Sequence, residues 1–301
     1  MGIVRILQRL SWHLNRTPAA HVLKAVHRTW RHSEVAKRRT LVNTLSTDAA
    51  VLSKADQLRS EGYVELTDVL SSDALARLGK ASDAKVKHAD ALANAQTLTH
   101  KAFWVRLLDV DAPGGVFPSD NEFVQFALQP VIVSVVAAYL RELPKLTDVL
   151  LTLSKPGASD LAYSQLWHRD FDDVHTVKVF VYLTDVLDAS DGPFTFLRGP
   201  ESDKVGFTRR SHMSDEYLFG RVDRAAVREV YGPRYTAFAC ETSRCMHMGS
   251  RIANGHSRLM FTASYISAPN VYPGVRPRFR LVGSATPVDE LVLGVRARDS
   301  A

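Results

Sequence analysis

His168 and Asp170 are the residues whose types and spacing point most directly to chemistry. They close the run 162–167, which reads as a strand, and side chains two apart on a strand face the same side. One imidazole and one carboxylate then address a single point. A third donor from elsewhere completes a two-histidine, one-carboxylate set, which holds three corners of an octahedral ferrous ion and leaves three open. The tripeptide alone is common, and a surface loop is its default reading. Asp172 and Asp173 compete for the carboxylate role, and the two-residue spacing favours Asp170. His247 is the candidate third donor. His256 competes with it, but His247 is approached through apolar residues and stands eleven positions before Arg258. An arginine carries a planar fork suited to a carboxylate; Arg251 is its rival.

Between these points lie a β-rich run at 177–184, the turn signal Asp191-Gly192-Pro193, a short strand at 194–197, and Arg198-Gly199-Pro200-Glu201-Ser202. With Trp167-His168-Arg169-Asp170 ahead of them and His247 and Arg258 behind, the chain resembles the phytanoyl-CoA dioxygenase-like family of Fe(II)/2-oxoglutarate-dependent oxygenases. Glu61-Gly62-Tyr63-Val64-Glu65-Leu66 before Leu70-Ser71-Ser72-Asp73 resembles the family's opening strand and helix. The likeness runs over residues 55–268. It implies Fe(II) held by His168, Asp170 and His247, with 2-oxoglutarate chelating the metal and Arg258 on its far carboxylate. O₂ is the second co-substrate, and succinate and CO₂ are released as an unactivated C–H bond is hydroxylated. Ser250 and Gln165 are weaker candidates for co-substrate contact. A carboxylate at 170 argues for hydroxylation, because related halogenases carry a small residue there. The competing reading is a jelly-roll binding module with a decayed site.

The elements that must position these residues follow from periodicity. Strands are expected at 149–154, 162–167, 177–184, 194–197, 235–239, 244–248 and 259–266. Many short strands separated by turns suggest a sandwich or jelly roll. The family resemblance makes this a mixed α+β, mainly β fold: a double-stranded β-helix, or cupin-like jelly roll, with flanking helices. Residues 121–140 read as one amphipathic helix that Pro130 kinks or splits. A helix follows Ser71 and Ser72, with Ser72 the favoured cap. Residues 84–100 and the insertion 213–231 read as helical.

The chain has 301 residues, is 46% hydrophobic, and has two cysteines, Cys240 and Cys245. It can bury one large core. The cysteine spacing matches neither a zinc site nor a disulfide framework, which makes them packing residues in a reducing cytoplasm. Residues 1–50 are expected to form a basic helical extension and 51–301 a single dioxygenase domain. Through Arg39 there are nine lysines and arginines against Glu34, so a net +8 sits in the extension while the whole chain carries +6. Ile3, Leu7, Leu10 and Leu14, then Val22, Leu23, Val26 and Trp30, give two apolar stripes among the cations. Such helices suit either peripheral contact of residues 1–40 with an inner membrane surface or packing on the body with charges in water. No nucleic-acid motif accompanies the charge, so no nucleic-acid partner is expected. The substrate is expected to be a small molecule or a lipid-linked one.

Overall fold

The computed structural model describes residues 17–89, 103–108, 111–112, 115–157, 161–208, 210–249, 251–270 and 278–295. In chain order come α1 (Ala19–Trp30), α2 (His32–Val42), α3 (Ala49–Glu61), β1 (Tyr63–Glu65) and α4 (Ser72–Val86). Then follow β2 (Trp104–Arg106), β3 (Phe117–Pro118), α5 (Glu122–Ala127), α6 (Pro130–Leu140), β4 (Lys145–Ser154), β5 (Thr176–Tyr182) and β6 (Phe194–Leu197). The chain continues with α7 (Gly199–Val205), α8 (Asp215–Phe219), β7 (Val227–Val230), β8 (Ala237–Glu241), β9 (His247–Met248), β10 (Arg258–Ile266), β11 (Phe279–Arg280) and α9 (Pro287–Leu293).

Six strands form the major sheet in the order β1-β8-β5-β10-β4-β2, and three form the minor sheet β7-β6-β9. The period of two sorts the major sheet's side chains between two interiors. Leu259, Phe261, Ala263 and Tyr265 of β10, with Val177, Val179 and Val181 of β5, pack under Phe123, Phe126, Ile132 and Val136 of α5 and α6. Phe261 stacks on Phe123 with centroids 6.1 Å apart, and the Tyr265 hydroxyl donates to the Ala127 carbonyl at 2.6 Å. The opposite phase, Met260, Phe180 and Tyr182, joins Phe194, Phe196 and Phe238 in a second cluster that draws on both sheets. This two-sheet sandwich with helices on one face is the jelly-roll arrangement the strand pattern suggests.

Several boundaries differ from the sequence reading, each for a local reason. Residues 121–140 are split at Pro130 into two helices, one of the two outcomes expected of that proline. Asn121 caps α5 by accepting from the Phe123 amide, and Pro130 opens α6 at a position where its missing amide costs nothing. Ser71, not Ser72, caps α4, accepting from the Ala74 amide. The insertion 213–231 is helical only in α8 and a short 3₁₀ turn; Val227–Val230 is a strand, because it supplies β6 with its outer partner. Residues 162–167 do not form a strand. A 3₁₀ turn occupies Tyr163–Gln165, and the segment after it is held by single bridges to separate partners, so no ladder develops. Of 84–100, α4 accounts for the start, and residues from 90 on lie outside the described residues, as do 1–16.

Three cations in the described part of the basic segment bond to the body. Lys24, 4% exposed, donates to the carbonyls of Ser267 and Pro269 and pairs with Asp173. Arg28 pairs with Glu142 and donates to the Ala268 carbonyl, and Arg38, 1% exposed, donates to the carbonyls of Leu143, Pro144 and Leu291. The expectation that a packed extension would keep its charges in water is therefore reversed for these three side chains.

Candidate metal centre

His168 and His247 meet because they are cross-strand partners. The His168 amide donates to the His247 carbonyl at 2.9 Å and the His247 amide returns the bond at 3.0 Å. A pair that exchanges both bonds sits directly opposite, with side chains on the same face. Trp167 exchanges the same two bonds with Met213, and the Asp170 amide donates to the Thr242 carbonyl at 2.9 Å. Three partners thus fix the backbone of 167–170, and Asp170 falls on the side of His168. One ligand atom from each of His168, Asp170 and His247 lies within 4.8 Å of the others. The ring centroids of the two histidines are 4.2 Å apart, and His247 Nε2 is 3.7 Å from Asp170 Oδ2.

Both rings are held in the same tautomer by the same device. His168 Nδ1 is 2.9 Å from the Leu166 carbonyl, and His247 Nδ1 is 3.0 Å from the Cys245 carbonyl. A carbonyl can only accept, so each Nδ1 carries the proton and each Nε2 presents its lone pair, as a metal-ligating histidine requires. The Cys245 acceptor is placed by close packing. Gly62 caps α3 with φ +72, and any Cβ there would strike the Cys245 sulfur. Cys240 and Cys245 are both buried and free, which fits their expected role as small packing residues.

The charge balance favours a cation. Burial, then the neighbouring His247, pulls the His168 pKa down to about 3. Burial likewise lowers His247 against the opposing pull of Asp170. Burial alone would raise Asp170, but the Lys178 ammonium, His247 and His168 outweigh it and hold the carboxyl below the usual carboxylate range. Lys178 Nζ is 2.8 Å from Asp170 Oδ2. An ionised carboxylate facing two imidazole lone pairs is a donor set that a divalent metal completes.

The low His168 pKa has a measurable consequence. Between about pH 3 and 6.5 the unfolded chain binds a proton at this residue that the folded chain refuses. The neutral ring's contribution to stability is therefore full above pH 6.5 and is lost as pH falls toward 3. The metal-free protein should lose about 1.4 kcal/mol per pH unit below 6.5 from this group. Urea unfolding at pH 7.5 and 5.5 measures it, and equal midpoints would contradict it.

The rivals to the three ligands are engaged elsewhere. Asp173 is buried on Lys24, and Asp172 is exposed at the cleft wall. His256 is exposed and pairs with Asp191 at 2.9 Å. Arg251 grips Asp215 with both arms and donates from Nε to the Gln165 carbonyl, while Asp215 accepts from the Trp167 indole at 2.8 Å. That cluster braces the turn leading into His168. Arg258 is 1% exposed, at the start of β10 on the same phase as Met260, Thr262 and Ser264. It donates to the Gly192 carbonyl, and one terminal nitrogen lies 3.5 Å from where a Cβ on Gly249 would sit, two residues beyond His247. The Gln165 side chain is buried, and its amide oxygen accepts from the Ala162 amide, closing the 3₁₀ turn. Ser250 lies outside the described residues.

A cleft of about 690 Å³ opens directly onto His168 and Asp170. Lys178, Arg278, Asp148, Asp172, His212 and Asn270 line it, together with the apolar side chains of Leu150, Phe171 and Ile266 among the described residues. Arg278 pairs with Asp148 at 3.0 Å. Lys178 is not among the residues singled out above by type and spacing. The available signal was a lysine inside an otherwise apolar strand, since a strand buried on both faces tolerates a charge only where it meets a partner. Asp148 and Arg278 carried no such signal.

No protein-family model matches the chain, and no curated protein matches its sequence. Solved structures do. EctD from S. alaskensis with 2-oxoglutarate and 5-hydroxyectoine is similar at a TM-score of 0.53 and 18% identity, over 72% of this chain and 76% of that one. AviO1 from Streptomyces viridochromogenes Tue57 gives a TM-score of 0.47 at 16% identity, over 75% and 97%. The non-heme alpha ketoglutarate dependent epimerase SnoN from nogalamycin biosynthesis gives 0.47 at 18%, over 73% and 82%. The likeness to EctD is one of fold.

Proposed function

We propose that this chain is an Fe(II)- and 2-oxoglutarate-dependent dioxygenase that hydroxylates an unactivated C–H bond of a polar small molecule, or of the polar part of a lipid-linked one. The observation that carries the reading is the convergence of the Asp170 carboxylate, held ionised by Lys178, with two histidines whose Nδ1 protons are tied to backbone carbonyls, one ligand atom of each lying within 4.8 Å of the others. Its fold is shared with EctD, whose structure contains 2-oxoglutarate.

In this reading His168, Asp170 and His247 hold the ferrous ion. Iron bound there would allow O₂ to act as the oxidant and 2-oxoglutarate as its reducing co-substrate, one oxygen atom going to succinate and the other to the substrate, with CO₂ released. The chain's own residues bind and orient. Arg258 offers its guanidinium to the far carboxylate of the co-substrate from the interior phase of β10. Lys178 stays beside Asp170 and limits the negative charge at the ligand oxygen. The cleft brings the substrate to the open side of the metal, and Lys178, Arg278, Asp148 and Asp172 in its wall offer charged partners to polar groups of that substrate.

The test is succinate formation from 2-oxoglutarate that requires Fe(II) and disappears in His168→Ala. If purified, iron-supplemented protein binds neither iron nor 2-oxoglutarate, the reading is wrong and a non-catalytic binding module takes its place. For Arg258→Met the expected result is a KM for 2-oxoglutarate raised roughly 10- to 100-fold, the loss of a hydrogen bond to a charged group. Iron affinity should stay unchanged. An unaltered KM would assign the far carboxylate to another cation.

A further inference from the structure

Helix α1 is inside out. Its inward residues are polar: Lys24 and Arg28 reach Asp173, Glu142 and the carbonyls of residues 267–269, and His27 Nδ1 is 3.2 Å from the Asn270 carbonyl. Its outward side, beside the exposed His21 and Thr29, carries an apolar stripe. Val22, Val26 and Trp30 follow one another at helical spacing and are 65%, 59% and 78% exposed. This orientation is not a loose attachment that could roll over, because turning the stripe inward would expel a buried ammonium from three acceptors. Single exposed apolar residues need no explanation, but three in a row on a helix locked by buried charges ask for a partner.

Charge selects among the partners. Of the segment's described cations, Lys24, Arg28 and Arg38 are turned into the body, and Arg31, Lys37 and Arg39 remain exposed. Lys37 and Arg39 are exposed on α2, which follows directly, and Glu34, the sole acid of the segment, is already paired with Arg31 and Arg38. A second copy of the segment would be repelled, whereas a surface of anionic headgroups would be attracted. Tryptophan at the edge of a basic helix also suits the boundary between headgroups and acyl chains. No helix among the described residues is long and apolar enough to cross a membrane, so contact of this kind lies on the surface.

We propose that α1 docks the protein on an anionic lipid surface through Val22, Val26 and Trp30, with the exposed cations Lys37 and Arg39 of α2 drawn to the headgroups. The docked helix holds the rim of the cleft, because Lys24, His27 and Arg28 bond to the 267–270 stretch and Ile266 and Asn270 line the cleft. Substrate held at or near a bilayer then meets the metal without the protein leaving the surface. This inference does not depend on the chemistry performed at the metal.

The experiment is co-sedimentation of the full chain with phosphatidylcholine vesicles, with and without phosphatidylglycerol. Binding is expected only with phosphatidylglycerol, falling at high salt, and weakened at least about tenfold in Val26→Asp/Trp30→Asp. Both side chains are exposed, so circular dichroism and the urea midpoint of that variant should match the parent. Absence of parental binding, or equal binding by the double variant, overturns the proposal. So does a parental dimer in gel filtration that the same substitutions dissolve without any effect on vesicles.

Discussion

Asp170→Ala is expected to lower ferrous ion affinity at least about 100-fold and to bring 2-oxoglutarate turnover to background. Two effects add. The substitution removes the only anionic donor of the set, and it strips the Lys178 ammonium, 2.8 Å away, of its counter-ion. A divalent metal would then sit beside an unbalanced positive charge in a partly dry site, where repulsion is strong. Anaerobic Fe(II) titration with succinate assay reads both quantities. Lys178→Met in the Asp170→Ala background should restore part of the stability but not the turnover, since it relieves the charge without replacing the ligand. Turnover above a few per cent of the parent in Asp170→Ala would remove Asp170 from the ligand set.

The second large effect lies far from the metal in sequence. Lys24 is 4% exposed, and its ammonium spends its three protons on the carbonyls of Ser267 and Pro269, at 2.7 and 2.6 Å, and on Asp173 at 2.8 Å. Burial pulls its pKa below the ordinary lysine value, opposed by Asp173 and Glu142. Lys24→Ala leaves a buried carboxylate and two carbonyls without that partner, and breaking a buried pair in this way costs about 3–5 kcal/mol. Urea unfolding should show the lower midpoint at an unchanged slope. Lys24→Met/Asp173→Asn should recover part of the loss, because both charges are removed together. Asp173 stands three residues after Asp170, so iron occupancy in Lys24→Ala should fall along with stability. A variant as stable as the parent would show that the N-terminal helices are dispensable to the body.

Much of the site was legible in the chain because its chemistry depends on residue type at short spacing. An imidazole and a carboxylate two residues apart, and an arginine eleven after a second histidine, need no tertiary knowledge to be singled out. The strands of the major sheet were legible for a similar reason. Val177, Val179 and Val181, or Leu259, Phe261, Ala263 and Tyr265, declare a buried face by alternation.

What escaped sequence reading depends on which distant group satisfies a local one. Residues 162–167 have the composition of a strand, yet Met213, His247 and Thr242 each take part of the following backbone and no ladder forms. Arg251 and His256 were credible rivals until Asp215 and Asp191 claimed them. Lys24 and Arg28 look like solvent-facing charges on a helical wheel. Only the fold brings Asp173, Glu142 and the 267–269 carbonyls beneath them, and that turns Val22, Val26 and Trp30 outward. By itself the sequence determined the donor types and the β-rich scaffold, because both are written in nearest-neighbour patterns. The tertiary structure decided which charges are buried and which apolar faces are left in water, because a buried charge is tolerated only where long-range folding delivers its partner.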